Sequence, residues 1–221
     1  STLVTIMKNI LTAPAVACCL SATINIATAQ SVAVDDLEVL LGEIESVSAD
    51  VVQLIVESDG GILEESNIQM YLKKPNGFYW ETLSPFPELI VTNGTLLWNY
   101  QPDLDQVVIE EWDSSRSELA AQLLSGRTEN LATEYSIEAL TDEDVGTAGF
   151  ELTPMASDSV YRTISINFQA GELDMIYLNS KNGQQTVWQF ENIEHNQKLA
   201  DGLFEFVPPA GIDVIENSYV Q

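Results

Sequence analysis

Residues 68–112 read IQMYLKKPNGFYWETLSPFPELIVTNGTLLWNYQPDLDQVVIEEW, and the punctuation of this stretch decides the fold class. An apolar run at 68–72 stops at Lys74-Pro75-Asn76-Gly77, where proline fixes φ and Asn-Gly accepts positive φ. Phe78-Tyr79-Trp80 opens the next strand, and Ser84-Pro85-Phe86-Pro87 ends it. Residues 89–91 and 96–100 flank Asn93-Gly94, the pattern of a β-hairpin. Gln101-Pro102-Asp103 then leads to a last run at 107–112. The runs follow one another through short turns with no helical crossover, so the sheet is expected to be antiparallel.

The same pattern continues on both sides. Upstream, the β-branched run 51–56 meets the turn Asp59-Gly60-Gly61. Downstream, strands are expected at 150–152, 164–168, 173–178 and 186–190, separated by turns at Gly171 and Asn182-Gly183, and the run 203–207 closes on Pro208-Pro209-Ala210-Gly211. Two helices are expected. In residues 35–48, Leu37, Leu40, Leu41, Ile44 and Val47 recur at three- and four-residue steps, with Asp35 and Asp36 at the start, where negative charge suits the helix dipole. Residues 114–124, closed by Gly126, place Leu119, Leu123 and Leu124 on one side. The cluster 141–144 reads as a surface loop. The class is α+β, mainly antiparallel β, in a single domain over 30–221.

The 221 residues carry 34 acidic and 8 basic side chains, a net charge of −26. Such a chain repels phosphate backbones and anionic lipid surfaces, so no nucleic-acid partner and no polybasic anchor is expected. A hydrophobic content of 45% with 4 Trp, 7 Tyr and 7 Phe excludes a disordered acidic tail. Every acidic residue lies at or after Asp35. Lys8, the apolar stretch 10–20 and Ala27-Thr28-Ala29 follow in the order of a cleaved secretory signal over residues 1–29. Residues 1–6 precede Met7 and read as an over-extended start. Cleavage after Ala29 removes both cysteines, Cys18 and Cys19, and leaves an exported chain with no disulfide. A competing reading lipidates Cys18, but that residue comes early in the apolar core and Ala27-Thr28-Ala29 is the better processing site.

Catalytic patterns are missing. There is no Gly-x-Ser-x-Gly elbow, His-Glu-x-x-His pair, cysteine cluster or Gly-rich phosphate loop, so no enzyme, cofactor or metal is expected. His195 lies in the polar stretch 192–198 and reads as an exposed loop residue. Pairs such as Asp103/Asp105, Glu110/Glu111 and Asp142/Asp144 arise by chance among 34 acids and read as solvated surface. The aromatic excess is more informative: Trp80, Trp98, Trp112 and Trp188 fall on four strands. A sheet this aromatic must pack on helices or curve around a ligand.

From Lys73 onward the chain resembles the LolA family of outer-membrane lipoprotein carriers. Lys73-Lys74-Pro75-Asn76-Gly77-Phe78-Tyr79-Trp80 is similar to that family's basic-basic-Pro-Asn-x-Phe-x-Trp stretch, and residues 89–102 and Gln106-Val107 to its next hairpin. Residues 46–53, 150–154 and 204–214 fit in the same order. The resemblance implies an incomplete, curved β-barrel covered by helices, whose apolar interior holds lipoprotein acyl chains. It implies a monomeric periplasmic chaperone, loaded by the inner-membrane transporter LolCDE and unloaded to the outer-membrane acceptor LolB. Tyr71, Phe78, Trp80, Leu89, Val91, Trp98 and Val107 are expected to line or support the cavity from the sheet, although strand alternation forbids all of them facing inward. Leu41, Ile44 and Leu123 are expected from the covering helices. The family's residue before the proline is typically Arg, tied to lid-helix backbone groups; here it is Lys74, with three donors on a flexible stem instead of a five-donor fork. The alternatives are a lipid-anchored acceptor of the same fold (LolB-like) and a generic lipid-binding module.

Overall fold

The computed structural model describes residues 22–112, 131–140 and 146–217. All twelve described strands join one sheet, ordered β12-β6-β5-β4-β3-β2-β1-β11-β10-β9-β8-β7. They are β1 (Ser46–Val56), β2 (Ile62–Lys73), β3 (Gly77–Ser84), β4 (Glu88–Thr92), β5 (Leu96–Gln101), β6 (Gln106–Glu111), β7 (Tyr135–Leu140), β8 (Thr147–Pro154), β9 (Tyr161–Gln169), β10 (Glu172–Ser180), β11 (Gln185–His195) and β12 (Asp213–Asn217). The edge strands β12 and β7 do not pair with each other, so the sheet stays open. Helix α1 (Ala22–Gly42) and the short α2 (Leu131–Glu134) are the described helices. Neither is long and apolar enough to cross a membrane.

The turns fall where Pro, Asn and Gly place them. Gly94 has φ +88, and a Cβ there would stand 2.5 Å from Asn76 Cβ, so the β2–β3 and β4–β5 turns abut. The sheet curves strongly. Trp80 on β3 and Trp188 on β11 are three strand spacings apart, about 14 Å on a flat sheet, yet their rings meet edge to face at 5.3 Å. Bulges add to the bend: Leu83 is the extra residue where Asn67 pairs with Ser84 and Ile68 with Thr82.

Alternation sorts the side chains onto two faces. On the inner face Ala33, Leu37 and Leu41 of α1 pack on a core that includes Val51, Met70, Leu72, Phe78, Ile137, Ile166 and Phe190. On the outer face Val91, Trp98, Val107 and Phe204 form a second cluster, joined by Tyr71, Tyr79, Leu89 and Tyr100. Its cover is the chain between β11 and β12, which contributes Leu199, Leu203, Phe204, Phe206 and Ile212. Phe204 sits on Gly77, where a Cβ would lie 3.1 Å from its ring.

Several expectations are corrected. The first helix ends at Gly42 rather than residue 48: Ile44 lies in the connection to β1, and Val47 is a strand residue paired with Leu72 and His195. Asp35 and Asp36 fall in mid-helix rather than at a helix start. His195 ends β11 and is partly buried, not an exposed loop residue. Residues 203–207 form part of a 3-10 turn (Asp201–Phe204) and irregular chain, not a strand. β12 pairs with β6 in parallel, because the preceding segment crosses the outer face before re-entering the sheet, as parallel pairing requires. The expected helix 114–124 with Leu123 and the loop 141–144 lie outside the described residues, as do residues 1–21 of the expected signal.

Candidate functional site

The sequence-derived site residues divide between the two faces. Leu41, Ile44 and Phe78 belong to the inner core, with Trp80 partly buried against it. Tyr71, Leu89, Val91, Trp98 and Val107 are on the other side, beneath the 199–212 segment. They support the sheet from behind and do not line a surface shared with α1.

Cross-strand register shows which residues do share that surface. Phe78 pairs with Thr92 and Trp80 with Ile90. Those two pair with Leu97 and Asn99, which in turn pair with Glu110 and Val108. The face that carries Phe78 and Trp80 thus extends through Ile90, Leu97 and Val108, all half-buried. It is mostly apolar, interrupted by Thr92, Asn99 and Glu110, joined to the core through Phe78 and Trp80, and not fully covered. Sequence reasoning missed Ile90, Leu97 and Val108. The signal was available: pairing across the turns that flank β4 and β5 matches Trp80 with Ile90. Pairing about Asn93-Gly94 then matches even-numbered β4 residues with odd-numbered β5 residues, which carries the face to Leu97 and on to Val108.

Aromatic rings stiffen this face at its junction with the core. Phe78 and Trp80 stack at 6.1 Å between centroids, and Trp188 Nε1 donates to Gln53 Oε1 at 2.8 Å. The outer face has its own brace. Tyr71 and Tyr79 meet edge to face at 5.4 Å, and the Tyr79 hydroxyl donates to Glu81 Oε2 at 2.6 Å. Burial first, then that hydrogen bond, pushes the Tyr79 phenol well above its ordinary range.

At one end of the sheet, the β2–β3 turn meets the end of α1. Lys74 Nζ donates to Gly42 O at 3.2 Å and to Leu41 O at 3.4 Å. These are terminal helix carbonyls, which lack intrahelical donors and favour a cation. The Lys74 backbone N–H donates to Glu45 O at 2.9 Å. Lys73 points the other way: its Nζ donates to Leu199 O at 2.9 Å and pairs with Asp201. The hydrogen bond from Lys73 holds the Asp201 carboxyl below its ordinary range. Between these contacts lies a cleft of about 360 Å³ lined by Glu45, Ser46, Lys198 and Asp201 among others. No group of three or more His, Cys, Asp or Glu side chains among the described residues is placed to hold a metal ion.

Comparison with known proteins accounts for this arrangement. The family model "Outer membrane lipoprotein carrier protein LolA" matches residues 42–207. An outer-membrane lipoprotein carrier protein of Hahella chejuensis is 33% identical over 190 residues, 86% of this chain and 91% of its own length. One from Chromohalobacter salexigens is 33% identical over 189 residues, 86% and 89% of the two chains. Among solved structures, a conserved protein of Thermus thermophilus superposes with a TM-score of 0.56 at 11% identity, covering 85% of this chain and 99% of that one, a likeness of fold alone. From the glycine that ends α1 to the outer-face cover, the chain belongs to the outer membrane lipoprotein carrier protein LolA family.

Proposed function

We propose that this protein carries outer-membrane-directed lipoproteins through the periplasm by shielding their acyl chains. The observation that carries the reading is the match to carrier proteins over 86% of the chain at 33% identity, joined to a half-buried stretch of the sheet face that carries Trp80. Those relatives are named carriers, which does not favour a lipid-anchored acceptor. The inner-membrane transporter LolCDE supplies the cargo and LolB receives it; the protein works as a monomer, without catalysis of its own, after its signal is removed.

The physics sets the design. Each buried CH₂ contributes about 0.8 kcal/mol, so exposing a chain of roughly fifteen methylenes costs about 12 kcal/mol. Such a chain does not cross water unshielded, and a site that matched it fully would never let it go. A face of Trp80, Ile90, Leu97 and Val108, half-buried without cargo and opened further on loading, offers partial complementarity. In this reading α1 is part of the cover and Lys74 its latch. Its contact with Gly42 O and Leu41 O breaks on loading and re-forms on release, offsetting part of the cost of ejecting the cargo.

The test uses membranes that contain LolCDE and a radiolabelled lipoprotein, with ATP. Adding the purified protein is expected to release the lipoprotein into solution as a one-to-one complex, and purified LolB to take it over. Lys74→Leu is expected to load normally and transfer at least several-fold more slowly, whereas Lys74→Arg transfers as well as wild type. Lipoprotein that stays in the membrane at every protein concentration refutes the carrier reading. Normal transfer by Lys74→Leu refutes the latch alone.

A further inference from the structure

The connection between α1 and β1 is held from two sides, and only one of them is Lys74. Asn196 follows β11 in a left-handed conformation, φ +57, which asparagine tolerates better than most residues. Its side chain then reaches back across the sheet end. Oδ1 accepts from the backbone N–H groups of Glu45 at 2.8 Å and Ser46 at 3.3 Å. Nδ2 donates to Glu43 O at 3.1 Å. The Asn196 backbone N–H donates to Ser46 O at 2.7 Å, and Ser46 Oγ donates to Gln197 O at 2.6 Å. One side-chain amide thus satisfies three backbone groups that neither the helix nor the strand pairs.

The division of labour is spatial. The Lys74 side chain holds the helix side of the connection, Leu41 O and Gly42 O, while its backbone N–H belongs to the strand side, at Glu45 O. Asn196 holds the strand side, Glu43 to Ser46. Gly42 and Glu43 are where one set of side-chain contacts gives way to the other. They are spanned by the backbone bonds from Glu43 N–H to Val39 O at 3.2 Å and from Ile44 N–H to Leu41 O at 3.3 Å, which opening must break. A Cβ at Gly42 would meet nothing within 4 Å, so no neighbouring side chain is wedged against that side of the glycine. From this geometry we infer that Asn196 is a positioning residue: it anchors the fixed half of a hinge at Gly42–Glu43, about which α1 opens while residues 45–46 stay docked. This rests on the carrier reading for its purpose but not for its geometry. A lid that re-closes on Lys74 needs its pivot in one place, because a displaced pivot carries the Leu41 and Gly42 carbonyls out of reach.

Amide exchange on the cargo-free full chain tests the hinge without any lipoprotein. In Lys74→Leu, amides of α1 around Leu40 and Leu41 are expected to exchange at least tenfold faster, while those of Glu45 and Ser46 remain protected as in wild type. Asn196→Gly keeps the left-handed backbone and deletes the amide; it is expected to speed exchange at Glu45 and Ser46 at least tenfold with the β1 core amides Val51 and Gln53 unchanged. If Lys74→Leu releases the amides of α1 and of Glu45 and Ser46 together, or Asn196→Gly leaves Glu45 and Ser46 protected, the hinge is not where we place it. Transfer to the acceptor then separates positioning from a merely structural role. Asn196→Gly alone is expected to slow transfer several-fold, and to slow it no further in the Lys74→Leu background, since both act on one closure. Independent, multiplying effects overturn the inference. Failure of wild type to take up any lipoprotein refutes the carrier reading, and the exchange pattern still decides the hinge.

Discussion

Leu37→Ala asks how firmly α1 is seated. Leu37 and Leu41 are both fully buried against the sheet, whereas Val39, on the same helix, is 60% exposed. Fully burying a leucine contributes about 1.5–3 kcal/mol, so the two leucines together hold α1 down with roughly 3–6 kcal/mol. On that footing α1 is open in about one molecule in 10² to 10⁴. Truncating Leu37 removes its transfer term and leaves a cavity, a combined cost of about 2–5 kcal/mol for buried Leu→Ala. The opening equilibrium of α1 should rise about thirty-fold at the low end and several-thousand-fold at the high end. Val39→Ala, at an exposed position, should change it little.

Native-state amide exchange reads that equilibrium directly. In wild type, α1 amides should exchange faster than those of Val51 or Met70 in the sheet core, and Leu37→Ala should accelerate the α1 set by the factor above. Cargo loading should become faster and transfer to the acceptor less complete, because closure no longer offsets ejection. If α1 and the sheet core exchange at one common rate in both proteins, α1 is an integral part of the core. The lid reasoning then fails, even if Leu37→Ala proves destabilising.

The Tyr79 phenol is held protonated in the fold by burial and by its bond to Glu81; its raised pKa adds stability in full below the unfolded value near 10, lost as pH rises beyond it. Tyr79→Phe should therefore flatten the loss of stability above about pH 10 in alkaline denaturation curves. Asp201 behaves in the opposite sense: Lys73 lowers its pKa, so its contribution is complete above about pH 4 and fades as pH falls through the lower folded value. Asp201→Asn should leave stability below that pH unchanged and remove this increment above it. The change should be small, since the carboxylate is almost wholly exposed.

The turns were the most legible part of the chain, because Pro75, Asn93-Gly94 and Asn182-Gly183 act through local backbone geometry. Long-range choices were not legible. Ile44 and Val47 continue the spacing of Leu37 and Leu41, so periodicity alone runs the helix on to residue 48. Pairing of Val47 with Leu72 and His195 overrides it. β12 gives no periodic signal, since all five of its residues are exposed, and β7 buries only Ile137. For the candidate site, aromatic bulk misled: Tyr71, Trp98 and their neighbours are conspicuous but face the 199–212 segment. The less conspicuous Ile90, Leu97 and Val108 share the face of Trp80.

Lys73 ends β2 and Lys74 opens the turn that follows, and their side chains leave on opposite sides to tie two layers to the sheet. Lys73 reaches the outer-face segment at Leu199 and Asp201; Lys74 reaches the end of α1 at Leu41 and Gly42. The two ties differ in what they hold. The outer segment is also fixed by Phe204 on Gly77 and by Phe206 against Tyr100, rings 5.0 Å apart, so losing the Lys73 pair leaves it seated. The end of α1 has Lys74 on one side of Gly42 and Asn196 on the other, with open space at the glycine itself. A sheet braced permanently from behind keeps its curvature when its inner face is uncovered. That permits a half-buried apolar surface in a chain with no described disulfide, and it confines motion to the layer where cargo must enter and leave.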